Sequence, residues 1–323
     1  MFSGMDDLRI LAEARGGGFT TADATSVGVG SRLLSAAVQR RELVRLRRGG
    51  YAFADTYLRL SPEQRFLVRA RLEADLNPGR VALSHRAAAL EHGLPLVDHD
   101  LRLVDLARLD RQSGRKTSTA RHHETVTARE LVEIGGRAVS ALPWAVWEAG
   151  TCAGPASALV LVDAALHSGN TDVEELRRVG EHFAHVKGSP AVRTALALAD
   201  PKAESPGESL TRWLCHVFRL PMPDSQVEIV DASGRLIGRV DFAWEEFRHV
   251  VEFDGKIKYG RGFDPKKTPE QIVMDERARE TAICRQRWGM TRLVWSQVHP
   301  PAEATARHLH DEMIWSRRRY LGR

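Results

Sequence analysis

Val250-Val251-Glu252-Phe253-Asp254-Gly255-Lys256 is the stretch on which the reading of this chain turns. Its β-branched and aromatic residues favour a strand, and side chains of a strand alternate between faces. Glu252, Asp254 and Lys256 therefore share one face, while Val251 and Phe253 turn to the core. The preceding Gly238-Arg239-Val240-Asp241-Phe242 also reads as a strand, and antiparallel pairing would bring Asp241 beside Glu252. Carboxylates forced together repel unless a proton or cation joins them, and a divalent ion with oxygen ligands does so. The spacing predicts a Mg²⁺ site, with Mn²⁺ as the alternative ion, on Asp241 and Glu252. Lys256 would neutralise charge developing on a phosphate or position the attacking water, whose pKa the metal lowers. Asp254 in place of Glu252, and Lys258 in place of Lys256, remain open as alternatives.

Working outward, a helix is expected from about Glu208 to Arg219, with Leu210, Trp213, Leu214 and Val217 on its apolar face. Strands follow at Gln226 to Val230, Leu236 to Trp244 and His249 to about Lys258. A Gly- and Pro-bearing basic loop with Arg261, Lys266 and Lys267 leads to a helix from about Pro269 to Trp288, then to a strand from Thr291 to Trp295. The order α-β-β-β-α-β allows a mixed sheet covered by helices. Upstream, Asp200-Pro201-Lys202-Ala203-Glu204-Ser205-Pro206-Gly207 stops one helical pattern before the next begins, which marks a domain boundary.

At the other end, three short helical patterns are separated by Gly16-Gly17-Gly18 and Gly28-Val29-Gly30, with Thr20-Thr21 and Ser31 as expected caps. Leu43-Val44-Arg45-Leu46 and Tyr51-Ala52-Phe53 flank Arg47-Arg48-Gly49-Gly50, a hairpin signal. Helix, helix, helix, hairpin is the order of a winged helix-turn-helix. Six arginines (Arg32, Arg40, Arg41, Arg45, Arg47 and Arg48) face one acid, Glu42, between positions 32 and 48. Such a patch suits phosphate contacts, with the third helix offered to the major groove of DNA.

Between these ends, from 61 to 200, the chain is Ala- and Leu-rich. Helical patterns at Pro62 to Leu76, Ser84 to His92, Trp144 to Ala149 and Ala156 to Leu166 alternate with strand-like Leu101 to Leu106 and Ala138 to Leu142. No chemistry is read there: His122-His123, and His182 with His185, lack the further ligands of a zinc site. The whole chain has 323 residues, 47 Lys+Arg against 42 Asp+Glu and a formal charge of +5. At that length two or three domains are expected. Three widely spaced cysteines give neither a disulfide framework nor a zinc motif. Apolar runs fall short of a membrane span, and Met1 to Asp7 lacks the order of a secretory signal, so the expected compartment is the cytoplasm.

Asp241, ten residues, then Glu252-Phe253-Asp254-Gly255-Lys256 resembles the PD-(D/E)XK nuclease signature, with Val240 standing where the motif has Pro. With Glu208 on the opening helix and Asp275-Glu276-Arg277-Ala278-Arg279-Glu280 leading into Arg292-Leu293-Val294-Trp295, residues 205 to 300 are similar to the actinobacterial domain related to very-short-patch-repair endonucleases. The resemblance implies Asp241 and Glu252 as metal ligands, Glu208 as an auxiliary acid and Lys256 as the motif lysine. The N-terminal segment resembles the winged-helix domain of AbiEi-type antitoxins, and Ser84-His85-Arg86-Ala87-Ala88-Ala89-Leu90 before His92-Gly93-Leu94 resembles the run that follows it there.

The expected class is α/β (α+β) in three parts: residues 1–60 a winged helix-turn-helix, 61–200 an α/β connecting domain, and 205–323 a restriction-endonuclease-like domain. The leading functional expectation is a Mg²⁺-dependent DNA endonuclease. Its rival is a DNA-binding regulator or antitoxin, with a cognate toxin as partner and an inactive nuclease-like domain. Arg277 is expected to pair with Glu280, and Arg317-Arg318-Arg319 to form a solvated helix end, with a nucleic-acid contact as its alternative.

Overall fold

The computed structural model describes residues 4–110, 114–124, 128–255 and 268–322. The fold is mixed α+β, and it divides into two compact units, Met1–Leu198 and Ala199–Arg323. The boundary expected after residue 200 falls at that division; the one expected at residue 60 falls inside the first unit.

The first unit opens with α1 (Gly4–Ala14), β1 (Phe19–Thr20), α2 (Thr21–Ser26), α3 (Ser31–Gln39), β2 (Leu43–Arg47) and β3 (Gly50–Phe53). Leu8, Phe19, Leu34, Ala37 and Phe53 close a small core beneath the antiparallel sheet β1-β3-β2. Thr20 caps α2 in a reciprocal box with Asp23, which satisfies two amides that the first turn leaves unpaired. Ser31 is not the cap of α3: Gly30 holds that place, without a side-chain bond. Then come α4 (Ala54–Tyr57) and α5 (Pro62–Asp75), the latter started by a Ser61–Gln64 capping box with Pro62 in its first turn. Arg47 reaches out of the hairpin to bond Glu73 on α5.

A six-stranded mixed sheet follows, made of β4 (Val81–Leu83), β5 (Val104–Arg108), β6 (Arg115–Lys116), β7 (Ala120–His123), β8 (Leu131–Ile134) and β9 (Arg137–Ser140), in the order β6-β7-β5-β4-β9-β8. Helix α6 (His85–Glu91) leaves β4, and α7 (Leu142–Gly150), α8 (Pro155–His167), α9 (Val173–Gly180) and α10 (Ser189–Leu198) complete the unit. Every residue of α7 is buried, Trp144 and Trp147 included.

In the second unit α11 (Pro206–Val217), β10 (Asp224–Val230), β11 (Leu236–Trp244), β12 (His249–Asp254), α12 (Pro269–Arg285) and β13 (Gly289–Val294) give the expected order. The sheet runs β10-β11-β12-β13, antiparallel except for the parallel pair β12 and β13. Val240, Ala243, Val250, Ile283 and Trp288 form its core under α12. Two further helices, α13 (Trp295–Val298) and α14 (Glu303–Leu321), end the described chain. No helix among the described residues is long and apolar enough to cross a membrane.

Candidate active site

The site is built where α11 meets the edge-to-centre strands of the second sheet. Gly207 lies so close to β12 that a Cβ there would overlap the Phe253 ring, so only glycine lets the helix start at this point. Ser205 caps the helix, and Glu208 folds back: its carboxylate accepts the Ser205 hydroxyl at 2.7 Å, the Glu204 amide at 3.0 Å and the Gln226 side-chain amide at 2.8 Å. Glu208 is thereby fixed at the mouth of the sheet, with Gln226 in the left-handed region (φ 56°) interrupting the regular alternation of β10.

Strands β11 and β12 pair from Trp244↔His249 to Phe242↔Val251. Beyond that pair the ladder gives way: Oδ2 of Asp241 accepts the Phe253 backbone amide at 2.7 Å, a side chain serving where a carbonyl would. Glu252 is 7% exposed. Burial pushes its carboxyl above the ordinary glutamate range; the bond from Arg279 pulls the other way, and the charges of Glu276 and Asp241 add to the rise. Strands β11 and β12 pair antiparallel as expected, with Phe242↔Val251 the last pair before Asp241 and Glu252.

Two arginines crowd the same point. Nη2 of Arg279 on α12 lies 2.5 Å from Glu252 and 2.7 Å from Glu276, and Nη1 donates to the Arg239 carbonyl at 3.3 Å. Its aliphatic stem passes over Gly238, 3.3 Å from where a Cβ would sit. Burial lowers this guanidinium's pKa, but its bonds to Glu276 and Glu252 outweigh that and leave it raised. From β13, Arg292 approaches Glu252 at 3.7 Å and pairs with Glu276 at 2.7 Å and Glu280 at 3.2 Å. Arg277 is exposed, and Glu280 pairs with Arg292 rather than with Arg277. Arg279, Glu276 and Arg292 lie in the runs that carry the resemblance, but the sequence assigns them no role, and it does not single out Gln226 at all.

Asp254, the alternative ligand, ends β12 as an exposed residue. Lys256 and Lys258, with Arg261, Lys266 and Lys267, lie outside the described residues. Among the described residues no three His, Cys, Asp or Glu side chains gather to hold a metal. Glu208 is engaged in its cap and does not join Asp241 and Glu252 as a third ligand. Two adjacent carboxylates still suit Mg²⁺, which binds one or two carboxylates and keeps several waters; they do not suit zinc, which takes three or four nitrogen, sulfur or oxygen ligands from the protein.

In the first unit the six arginines divide. Arg47 is held by Glu73, and Arg40 by Glu42 at 2.9 Å. Arg32, Arg41, Arg45 and Arg48 are exposed, and none makes an ion pair among the described residues. Leu33 on α3 is also exposed, at 53%.

The first unit also holds a buried polar network between 61 and 200, where the sequence signals no chemistry. Arg86 bonds Asp105 at 2.6 Å and Asp105 accepts from Nε2 of His123 at 2.9 Å; Arg129 bonds Glu148 at 2.6 Å and Glu148 accepts the His85 amide at 3.0 Å. Burial raises the Asp105 carboxyl, but the bonds from His123 and Arg86 bring it down to about 2. His85 opens α6 at φ 49°, a conformation that costs a non-glycine residue on the order of 1 kcal/mol or more.

No family model matches the chain. It is 33% identical over 132 residues to two uncharacterized proteins of Mycobacterium tuberculosis, from strains CDC 1551 / Oshkosh and H37Rv. Each match covers 41% of this chain and 48% of the relative, so the alignment spans about half the length of the curated proteins it matches.

Proposed function

We propose that the second unit is a metal-dependent phosphodiesterase acting on DNA, with the arginine-bearing hairpin and α3 of the first unit as a DNA-binding module. The observation that carries this reading is the Asp241 carboxylate held by the Phe253 amide, next in the chain to Glu252, at the point where β11 and β12 part. Asp241 and Glu252 are the residues that would hold Mg²⁺ or Mn²⁺. When bound, the ion would offset charge developing on the scissile phosphate and acidify a water. Arg279 and Arg292 fix the Glu252 carboxylate from two sides, while Glu276 holds both guanidiniums in place. Glu208, anchored by Ser205 and Gln226, lines the approach as the auxiliary acid. Exposed Arg32, Arg41, Arg45 and Arg48 supply phosphate contacts. The proposed location is the cytoplasm.

One observation favours a second reading, a DNA-binding regulator or antitoxin with a cognate toxin. Glu252 is already neutralised by Arg279 at 2.5 Å, an arrangement that a binding-only domain would also use to keep a buried acid in place. Cleavage of labelled single-stranded, duplex and mismatched DNA with Mg²⁺, Mn²⁺ or EDTA, beside Asp241→Ala and Glu252→Ala, separates the two. Metal-dependent cutting that disappears in both variants is the expected result. Duplex binding with no cutting by the unaltered protein would transfer the reading to the regulator.

A further inference from the structure

The last two turns of α14 carry a surface that neither the carboxylate site nor the hairpin accounts for. Trp315 is 50% exposed, although an indole is one of the costliest side chains to leave in water. The Arg319 guanidinium lies 4.9 Å from its ring centroid and 5.6 Å from that of Tyr320, and the two rings meet edge to face at 6.5 Å. Arg287, from the turn after α12, donates to the Tyr320 carbonyl and ties this end of the helix down.

Cations gather at this end of the unit. Elsewhere several arginines find carboxylates, Arg235 with Asp231, Arg239 with Glu204, Arg248 with Glu245, Arg292 with Glu276 and Arg307 with Glu303, while Arg219, Arg277 and Arg285 are exposed and find none among the described residues. Arg287, Arg318 and Arg319 are exposed and make no ion pair among the described residues. Arg317 instead turns inward over Phe247, so the basic run is split between packing and surface. The macrodipole accounts for basic residues in the last turn of a helix. It does not account for an exposed indole with a guanidinium stacked on it.

We infer that Trp315, Tyr320, Arg318, Arg319 and Arg287 form a binding platform for single-stranded nucleic acid. A base stacks on the open face of the Trp315 indole, with Arg319 backing the ring, and Arg287 and Arg318 take the flanking phosphates. Flat π-faces beside unpaired cations are what a single strand needs, because its bases are free to stack and its backbone is an array of anions. A duplex keeps its bases stacked on one another and offers the indole nothing. This inference rests on the nucleic-acid reading above, and it is independent of the Asp241 and Glu252 pair.

The test is fluorescence anisotropy of a labelled mixed-sequence 20-nucleotide single strand and its duplex. The 323-residue chain carries Arg32→Ala, Arg45→Ala and Arg48→Ala, to silence the hairpin. The platform predicts tighter binding of the single strand, weakened about 5- to 150-fold by Trp315→Ala and largely retained by Trp315→Phe. Arg287→Ala and Arg318→Ala should each flatten the dependence of log K on log salt by about 0.7, one phosphate no longer being neutralised in each. Ultraviolet crosslinking should map to the peptide containing Trp315. Equal affinity of Trp315→Ala and its parent overturns the inference, as does preference for the duplex, which would make the surface a purely electrostatic contact. If the otherwise unaltered protein binds no DNA of either kind, the nucleic-acid reading itself falls; if it binds through the hairpin alone, only the platform does.

Discussion

The imidazoles of His85 and His123 lie face to face, their centroids 3.6 Å apart and their planes within 16°. Each ring is backed by a carboxylate that is itself held by an arginine: Asp105 with Arg86 for His123, and Glu148 with Arg129 for His85. Two such rings stack comfortably only while they are not both charged. Burial holds His85 neutral, its pKa lowered to about 4 against the pull of Glu148.

That arrangement fixes a pH dependence. Burial also lowers His99 and His249 to about 4. In the unfolded chain a histidine takes its proton near pH 6.5. Between about 6.5 and 4 the unfolded state therefore binds more protons than the folded one, and stability falls as pH falls. Each histidine contributes a slope of up to about 1.4 kcal/mol per pH unit in that window. Urea midpoints at pH 7.5, 5.5 and 4.5 should decline steadily, and His249→Gln should flatten the decline for the second unit. A midpoint constant across that range would refute the assignment of neutral buried histidines.

The helix that delivers Glu208 depends on the lack of a side chain at Gly207. Gly207→Ala would drive a methyl into the Phe253 ring, and overpacking of this kind costs about 1–3 kcal/mol. A lowered melting temperature of the second unit, together with weaker metal-dependent activity if the nuclease reading holds, is the expected outcome. Exposed Arg277→Ala, on α12 of the same unit, is the control and should melt like the parent.

Two arginines on α12, two positions apart, should behave differently. Arg279→Ala strips a partner from both Glu252 and Glu276, and leaving a buried carboxylate without its hydrogen bond costs about 1–3 kcal/mol. Exposed Arg277→Ala should stay within about 0.5 kcal/mol of the parent. Thermal or urea denaturation checks both, and equal effects would show that the Glu252 ion pairs carry no stability.

The same two arginines mark how far the amino-acid sequence is legible. The strand period of two is enough to place Glu252 and Asp254 on one face, although the strand is buried on both faces up to Phe253. It cannot choose between Arg277 and Arg279. Successive helical residues are about 100° apart, so these two point to nearly opposite sides, and only the docking of α12 on the sheet decides which meets Glu252. Nor does it reveal the interruption at Gln226, a left-handed residue without glycine's signature. Of the six-stranded sheet only the strands near Leu101 to Leu106 and Ala138 to Leu142 are legible, and the others escape for another reason. Strands such as Arg115–Lys116, Val81–Leu83 and Leu131–Ile134 are too short to show alternation, and the Asp105 network joins residues of three separate elements.

The arginine patch of the hairpin supplies the last prediction, because the structure sorts residues that look equivalent in the sequence. Arg47 bonds Glu73, whose side chain is only 4% exposed. Arg47→Ala should therefore act on stability, by about 1–3 kcal/mol, through the carboxylate left behind. Arg45 and Arg48, neighbours on the same hairpin, are exposed and make no ion pair among the described residues. Arg45→Ala and Arg48→Ala should leave the melting temperature within about 1 °C while each reduces the salt slope of duplex binding by about 0.9. Denaturation and salt-titrated gel shifts on the same three variants make the comparison. Should Arg47→Ala lose DNA affinity without losing stability, the Glu73 contact would be incidental and the hairpin would present all its arginines to the duplex. If Arg45→Ala and Arg48→Ala leave the salt slope unchanged, phosphate recognition lies elsewhere in the chain.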